Sequence, residues 1–496
     1  MRLWRRYDPG TTIVVPAWNV ARYLPDCLDS LLGQTAWDQC RVVVVDDGST
    51  DGTGRIADRY AAAHPQIQVV HQPNRGPGAG AARNRGLDAV QTEFVQFLDG
   101  DDELTPRGVE LFSTALAEHQ LDLAVGATEQ FPTPREWLWS GYFAESGVRR
   151  VRIEDVPLLA HDARTCNKLY RTAWLRRSGL RFAERIHHQD TVVNVPAMLR
   201  VPEFALIGEV VHRYRKREDG SSVMDSHFTR RGNYHDHLQV VEELARMLPG
   251  LPAGRRPLLE AFIARSFQGF ARRAPALLPS DELPAWFRRA RRVVARLDPD
   301  VIEQATTGVQ QRVAYVTMLE DDLASFLDLD ALAGRLSAHQ GDLYVAVPAR
   351  SERTRRLLRT GATRAWADRT QVTGDAVSLR LRLRIRDARH LDRALDGIVL
   401  RVRDGESEVC EVPVRVVPDT AEGTTHTATV QLPRAALRPG SYLLRLGFLT
   451  PTGRTDRWVR RPPDTGDEVA SADGSTLTLT SRDDRAVLAV SAAPPA

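Results

Sequence analysis

The sequence predicts an α/β fold with a mostly parallel sheet, followed by a helical segment and a C-terminal β-sandwich. Three patterns carry that expectation. Short β-rich runs alternate with helical stretches over residues 11–130, long helical patterns fill residues 226–340, and period-two alternation returns from residue 341 onward. The expected domains are therefore residues 1–225, 226–340 and 341–496.

Within the first part, residues 11–15, 41–45, 67–71, 94–98 and 121–125 read as strands. Residues 21–32, 52–63 and 79–90 read as the helices between them. Strands alternating with helices of this length imply βαβ units. The run Val42-Val43-Val44-Val45 has no polar face and fits a central strand covered on both sides.

The middle part holds helical patterns at residues 238–247, 256–273, 285–297 and 309–327. Arginines crowd it (Arg255, Arg256, Arg265, Arg272, Arg273, Arg288, Arg289, Arg291, Arg292), which reads as a track for a polyanion. In the last part, residues 377–385 alternate strictly, and similar runs recur between Gly- and Pro-containing turns, the signature of a sandwich. It carries no catalytic constellation and reads as a binding or assembly module.

Composition narrows the function. A chain of 496 residues with 42% hydrophobic and 26% charged residues is globular and multi-domain. A formal net charge of +3 is too small to imply nucleic acid as a partner. Four cysteines (Cys27, Cys40, Cys166, Cys410) without CxxC or metal-ligand spacing fit a reduced, cytoplasmic chain. The first ten residues lack the apolar run of a signal peptide, and no apolar stretch approaches the roughly 18 residues that span a bilayer. Any membrane contact is expected to be peripheral, at the inner face.

The most informative segment is Phe94-Val-Gln-Phe-Leu-Asp-Gly-Asp-Asp-Glu103, an apolar strand running into acid. If extended geometry continues to Asp101, the carboxylates of Asp99 and Asp101 share one side. Together they suit a hard divalent cation, Mn²⁺ or Mg²⁺, whose open positions take substrate phosphates. Thr105-Pro106 already supplies a helix cap, so these aspartates are superfluous as caps.

A second acidic string, Asp46-Asp47-Gly48-Ser49-Thr50-Asp51, also follows a strand, at the edge where open α/β sheets bind ligands. There Asp47 suits a nucleobase or ribose, while Ser49 and Asp51 equally suit a turn and cap. The Gly-rich stretch from Asn74 to Asn84 can cradle anions through its backbone. Asp190, beside His187 and His188 and ahead of an apolar helix, is a candidate base or an ordinary N-cap. The cationic run from His212 to Arg217, followed by Gly220, Ser221 and Ser222, suits a departing phosphate.

Together these strings resemble family 2 glycosyltransferases with the GT-A fold. The matching pieces are Ile13-Val14-Val15-Pro16-Ala17-Trp18-Asn19, Val45-Asp46-Asp47-Gly48-Ser49, Ala82-Arg83-Asn84-Arg85-Gly86 and Asp99-Gly100-Asp101-Asp102. The order of parts, with Asn167-Lys168-Leu169-Tyr170-Arg171, Gln189-Asp190 and Lys216-Arg217-Glu218, is similar to wall-teichoic-acid glycosyltransferases.

The resemblance implies a nucleotide-sugar donor, a UDP-sugar such as UDP-GlcNAc, and a glycan or polyol phosphate acceptor. It implies that Pro16, Trp18, Asp47 and Asn74 line a uridine pocket with Arg83 nearby. Asp99 and Asp101 would sit at the ribose, metal and diphosphate, Asp190 would be the base, and Arg217 with Ser221 would face the leaving diphosphate. It also implies a homo-oligomer, a trimer. Within enzymes the alternative is a glycosyltransferase acting on capsular polysaccharide, another glycan or a natural product, and a catalytically silent sugar-nucleotide or glycan-binding protein is the alternative from another class.

Overall fold

The computed structural model describes residues 8–217, 228–332 and most of 336–491. It divides into two compact units, residues 1–270 and 271–496.

The first unit is built on a curled, mixed sheet. Its strands are β1 (Asp8–Ala17), β2 (Cys40–Asp47), β3 (Ile67–Gln72), β4 (Thr92–Phe97), β5 (Glu103–Leu104), β6 (Leu123–Phe131), β7 (Val148–Val151), β8 (Lys168–Arg171) and β9 (Phe204–Arg215). The order is β3-β2-β1-β4-β8-β6-β9-β5, with β7 on β9. The pairs β3–β2, β2–β1, β1–β4 and β6–β9 are parallel, while β8 runs antiparallel between β4 and β6. The helices are α1 (Leu24–Leu32), α2 (Thr53–Ala63), α3 (Gly80–Ala89), α4 (Gly108–His119), α5 (Thr172–Arg177), α6 (Thr191–Arg200), α7 (Arg231–Met247) and the greater part of α8 (Arg256–Leu277), which continues past residue 270.

The valine run behaves as its composition requires. Val42 and Val44 pack into a core with Leu24, Cys27, Leu28 and Leu31 of α1. Val43 and Val45 face the other way, against Ala82 of α3. Burying a branched side chain on each face stabilises by about 1.5–3 kcal/mol per residue, which locks β2 at the centre of its layer. Helix α3 sits so close that a Cβ on Gly86 would lie 2.2 Å from Cγ1 of Val14.

Two parts of this unit escape the periodicity. The last strand, β9, interrupts its apolar start with Gly208-Glu209 and ends in charge, and β8 is only four residues long. Neither alternates cleanly, so pairing within the sheet, not local pattern, defines them.

The second unit begins with helices, including Leu283–Val294 and Val309–Leu319. The pattern at residues 309–327 breaks where Asp321 takes φ of +59°, and Asp322 then caps Leu323–Leu327 by accepting from the Ser325 amide. The rest is mainly antiparallel strand, with eleven in one sheet among the described residues. In Ala376–Ile385 the alternation is literal: Val377, Leu379, Leu381 and Leu383 are buried while Arg380 and Arg382 are exposed.

No helix among the described residues is long and apolar enough to cross a membrane. The expected arginine track loses its first member, because Arg255 is buried. Its guanidinium donates to the carbonyls of Leu199 and Val201, at the end of α6, and pairs with Glu154 at 2.8 Å. That arginine holds unit one together and is not a polyanion contact.

Candidate functional site

The parallel strands β1, β2 and β4 end at one edge of the sheet, and their C-terminal residues are the acidic and aromatic ones singled out above. Pro16 is buried and pairs in register with Val45, while Trp18, one residue beyond β1, is 56% exposed. An apolar ring that size left in solvent at a strand end offers a face on which a planar group can stack. Asp47 is buried and accepts from Gln72 Nε2 at 2.6 Å; burial pushes its carboxyl above the ordinary range, opposed by the Gln72 bond. Asn74 is exposed and accepts the Gly76 amide at 2.9 Å.

Ser49 and Asp51 resolve toward scaffolding. Ser49 accepts from the Asn19 amide at 3.1 Å, and Asp51 accepts from the amides of Ala21 and Thr53, each at 3.0 Å. They tie the loop that carries Trp18 to the turn after β2.

The acidic turn departs from the extended geometry expected of it. Strand β4 stops at Phe97, and the Asp102 amide donates to the Asp99 carbonyl at 3.0 Å, closing a turn. A Cβ on Gly100 would lie 3.2 Å from the Pro16 carbonyl, so this glycine makes room for the protein's own strand. The three carboxylates consequently differ in surroundings. Asp99 is partly exposed and accepts from Arg83 Nη2 at 2.5 Å. Asp101 accepts from Arg217 Nε at 2.8 Å. Asp102 is buried, taking the Arg215 amide on Oδ1 and His212 Nε2 on Oδ2.

The short pairing of β5 with β9 creates this difference, since Glu103 lies opposite Arg213 and Leu104 opposite His212. Asp102, Cys166 and His212 do offer ligand atoms within 4.8 Å of one another. However, all three are buried, the His212 ring is bonded to Thr128 Oγ1 as well as to Asp102, and burial raises the Cys166 thiol well above its ordinary range. That cluster anchors the turn. The outward carboxylates, Asp99 and Asp101, each keep one oxygen without a hydrogen bond among the described residues. Burial, with Asp102 next, pushes Asp101 up to about 7. Two such oxygens on one turn fit a hard cation.

Asp190 occupies the N-cap position of α6, where its carbonyl accepts the Val193 and Asn194 amides, but its side chain does not cap the amides of that first turn. Burial pushes its carboxyl up, Arg83 pulls it down, and Asp99 pushes it up again. Arg83, buried and with Nε and Nη1 lacking hydrogen-bond partners among the described residues, is thus the cation shared by Asp99 and Asp190. Ser221 lies outside the described residues.

The Gly-rich loop has a role the sequence did not reveal. A Cβ on Gly80 would fall 1.9 Å from the Ala183 carbonyl, and one on Gly78 would fall 2.2 Å from that of Ile186. These glycines seat the segment leading to Asp190. The same segment holds left-handed backbone at Arg185 (φ +63°) and His188 (φ +60°). It is fastened to α7 by Asp236, which accepts from the His187 amide at 3.0 Å and contacts its Nδ1 at 2.8 Å. Asp236 was not legible as part of the site, and neither was the pairing of Asp102 with His212, because the partners lie 49 and 110 residues apart in sequence.

Residues 12–179 match the model of glycosyl transferase family 2. The chain is similar to the uncharacterized glycosyltransferase YibD of Escherichia coli, 26% identical over 258 residues, covering 48% of this chain and 70% of that protein. It is also similar to the poly(ribitol-phosphate) beta-glucosyltransferase of Bacillus spizizenii, 22% identical over 56% of this chain but only 43% of that protein's length. The fold matches the crystal structure of S. aureus TarS with a TM-score of 0.60 and 17% identity, covering 97% of this chain and 85% of that one. A TarS fragment solved with UDP-GlcNAc matches at 0.57 and 20% identity, covering 68% of this chain and 97% of the fragment.

Proposed function

We propose that this chain, which carries a family 2 glycosyltransferase domain at residues 12–179, moves a sugar from a UDP-sugar to a hydroxyl of a polyol phosphate polymer, inverting the anomeric centre. The observation that carries the reading is the grouping of Asp99, Asp101 and Asp190 with Arg83 and Arg217 around one turn. The UDP-GlcNAc complex of TarS and the poly(ribitol-phosphate) relative support the choice of donor and acceptor.

In this reading Trp18 and Pro16 flank the uracil ring, with Asp47 and Asn74 on its polar edge. Arg217 balances charge on the diphosphate as it departs. Asp190 takes the proton from the acceptor hydroxyl, whose oxygen attacks the anomeric carbon on the face opposite the diphosphate. The bond between that carbon and the diphosphate oxygen breaks, and its electron pair leaves with UDP. A carboxyl raised by burial is a stronger base than one in water, so the environment of Asp190 suits the task. Mn²⁺ or Mg²⁺, held by Asp99 and Asp101, would supply further neutralisation of the leaving group. The chain would work as a homo-oligomer, in the cytoplasm or at the inner membrane face.

The test is UDP release from UDP-GlcNAc with Mn²⁺ and a ribitol-phosphate oligomer, for the parent and for Asp190→Asn. The variant should bind UDP as the parent does and lose transfer by about 10²- to 10⁴-fold. Nearly full turnover in Asp190→Asn would remove the base from the mechanism. UDP binding without turnover in the parent would favour a silent binding protein.

A further inference from the structure

The segment following β6, Pro132-Thr-Pro-Arg-Glu-Trp-Leu-Trp139, belongs to no regular element and has no part in the donor site above. It leaves the sheet beside the end of β9, where the Lys216 amide donates to the Phe131 carbonyl at 2.8 Å. There the rings of Trp137 and Trp139 stack, with centroids 6.1 Å apart and planes 12° from parallel. The Arg135 guanidinium lies 4.6 Å from the Trp137 centroid, and that of Arg164 lies 4.5 Å from Trp137 and 5.3 Å from Trp139. Ser140 keeps the turn in shape by accepting the Trp137 amide at 2.8 Å.

A purely structural aromatic cluster gives its buried N–H groups partners. This one does not. Trp137 Nε1, Trp139 Nε1 and Arg164 Nη1 are buried donors without a hydrogen bond among the described residues. Three unsatisfied donors beside two stacked indoles and two guanidinium groups are what a chain of hydroxyls and phosphates would satisfy. The rings offer apolar faces to its carbon backbone, and the exposed Arg135 guanidinium pairs with its phosphodiesters, while Arg164, whose Nε donates to the buried Asp162 at 2.7 Å, has Nη1 to offer.

The pile also connects to the acidic turn. Tyr214 meets Trp137 edge-on at 6.3 Å, Arg213 and Arg215 lie over Phe131 at 4.5 and 4.7 Å, and Arg215 and Arg217 lie over Tyr23 at 5.5 and 5.3 Å. Rings and cations thus lie interspersed between Trp139 and Arg217, the partner of Asp101.

We propose that Trp137, Trp139, Arg135 and Arg164 form the acceptor subsite, which holds a polymer alternating polyol and phosphate and feeds it toward Asp190. The inference rests on the transfer reading given above.

Calorimetry on the full chain tests it, with a ribitol-phosphate oligomer as one titrant, an uncharged oligosaccharide as a second and UDP as a third. The parent should bind the phosphate polymer, more weakly as salt rises. Trp139→Ala should raise its Kd about tenfold, and Arg135→Ala, at an exposed position, about threefold. Trp139→Phe, which keeps a ring, should recover most of the affinity. Unchanged Kd in Trp139→Ala, equal losses in the Phe and Ala variants, equal binding of the uncharged oligosaccharide, or no binding of the polymer by a parent that binds UDP would each overturn the subsite. A parent that fails to bind UDP sinks the transfer reading instead, and the polymer titration still decides the subsite.

Discussion

Arg83 donates from Nη2 to Oδ1 of Asp99 across 2.5 Å, from a position that is almost wholly buried. The same guanidinium bears electrostatically on Asp190, so one cation sets the charge balance of two carboxylates with opposite proposed duties.

Arg83→Met should therefore change the pH dependence of transfer as well as its rate. Burial raises Asp190 and Arg83 is the largest influence against that rise; removing the arginine leaves only the backbone amides of Asp190 and Thr191 to oppose it. A base must be deprotonated to act, so the acid limb of the pH–rate profile should move to higher pH. An unmoved limb with only a lower maximum would mean that Arg83 serves donor binding alone.

Chelation tests the cation. Transfer in excess EDTA should fall by about 10²-fold or more and return with Mn²⁺ or Mg²⁺. Asp101→Asn should resist that rescue. Equal turnover with and without EDTA would assign the neutralising role to Arg217 and its neighbours.

The glycine seat of the Asp190 segment gives a prediction on both stability and rate. Gly80→Ala puts a methyl where the Ala183 carbonyl already lies, 1.9 Å from the added atom. Backbone cannot yield there as a flexible side chain would, so a loss of about 1–3 kcal/mol is expected. Thermal melting reads that loss. Assays below the melting transition should show kcat falling more than the KM for donor, since the displaced element carries the base.

His161 supplies a pH-dependent stability. It stacks on Phe262 at 5.8 Å, and burial, aided by Arg265, lowers it to about 4. A histidine whose folded value lies below its unfolded value of 6.5 contributes fully above 6.5. That contribution is lost as pH falls through the folded value of about 4. His161→Phe should remove this sensitivity, making the loss of stability between those limits smaller by about 3 kcal/mol. Denaturant unfolding across the window measures it.

Much of the first unit was readable from the residues. The all-valine strand demanded cover on both faces and has it in α1 and α3. Acid at the ends of β2 and β4 marked the edge where the candidate site lies, and Asp190 stood out as either a base or the N-cap of the helix that follows it. What the sequence left open was how neighbouring aspartates differ. Asp101 and Asp102 are adjacent, yet one, partly buried, meets Arg217 and the other is sealed against His212.

What the residues alone determined is the alternation of strand and helix, and the chemistry offered at the strand ends, because periodicity and turn preference are local properties of the chain. Tertiary structure decided which charges meet: Asp101 and Arg217 are 116 residues apart, and His187 and Asp236 are 49 apart. Pairing across such separations follows from strand order and helix docking, which depend on the free energy of the whole core. A short window of sequence does not contain that information.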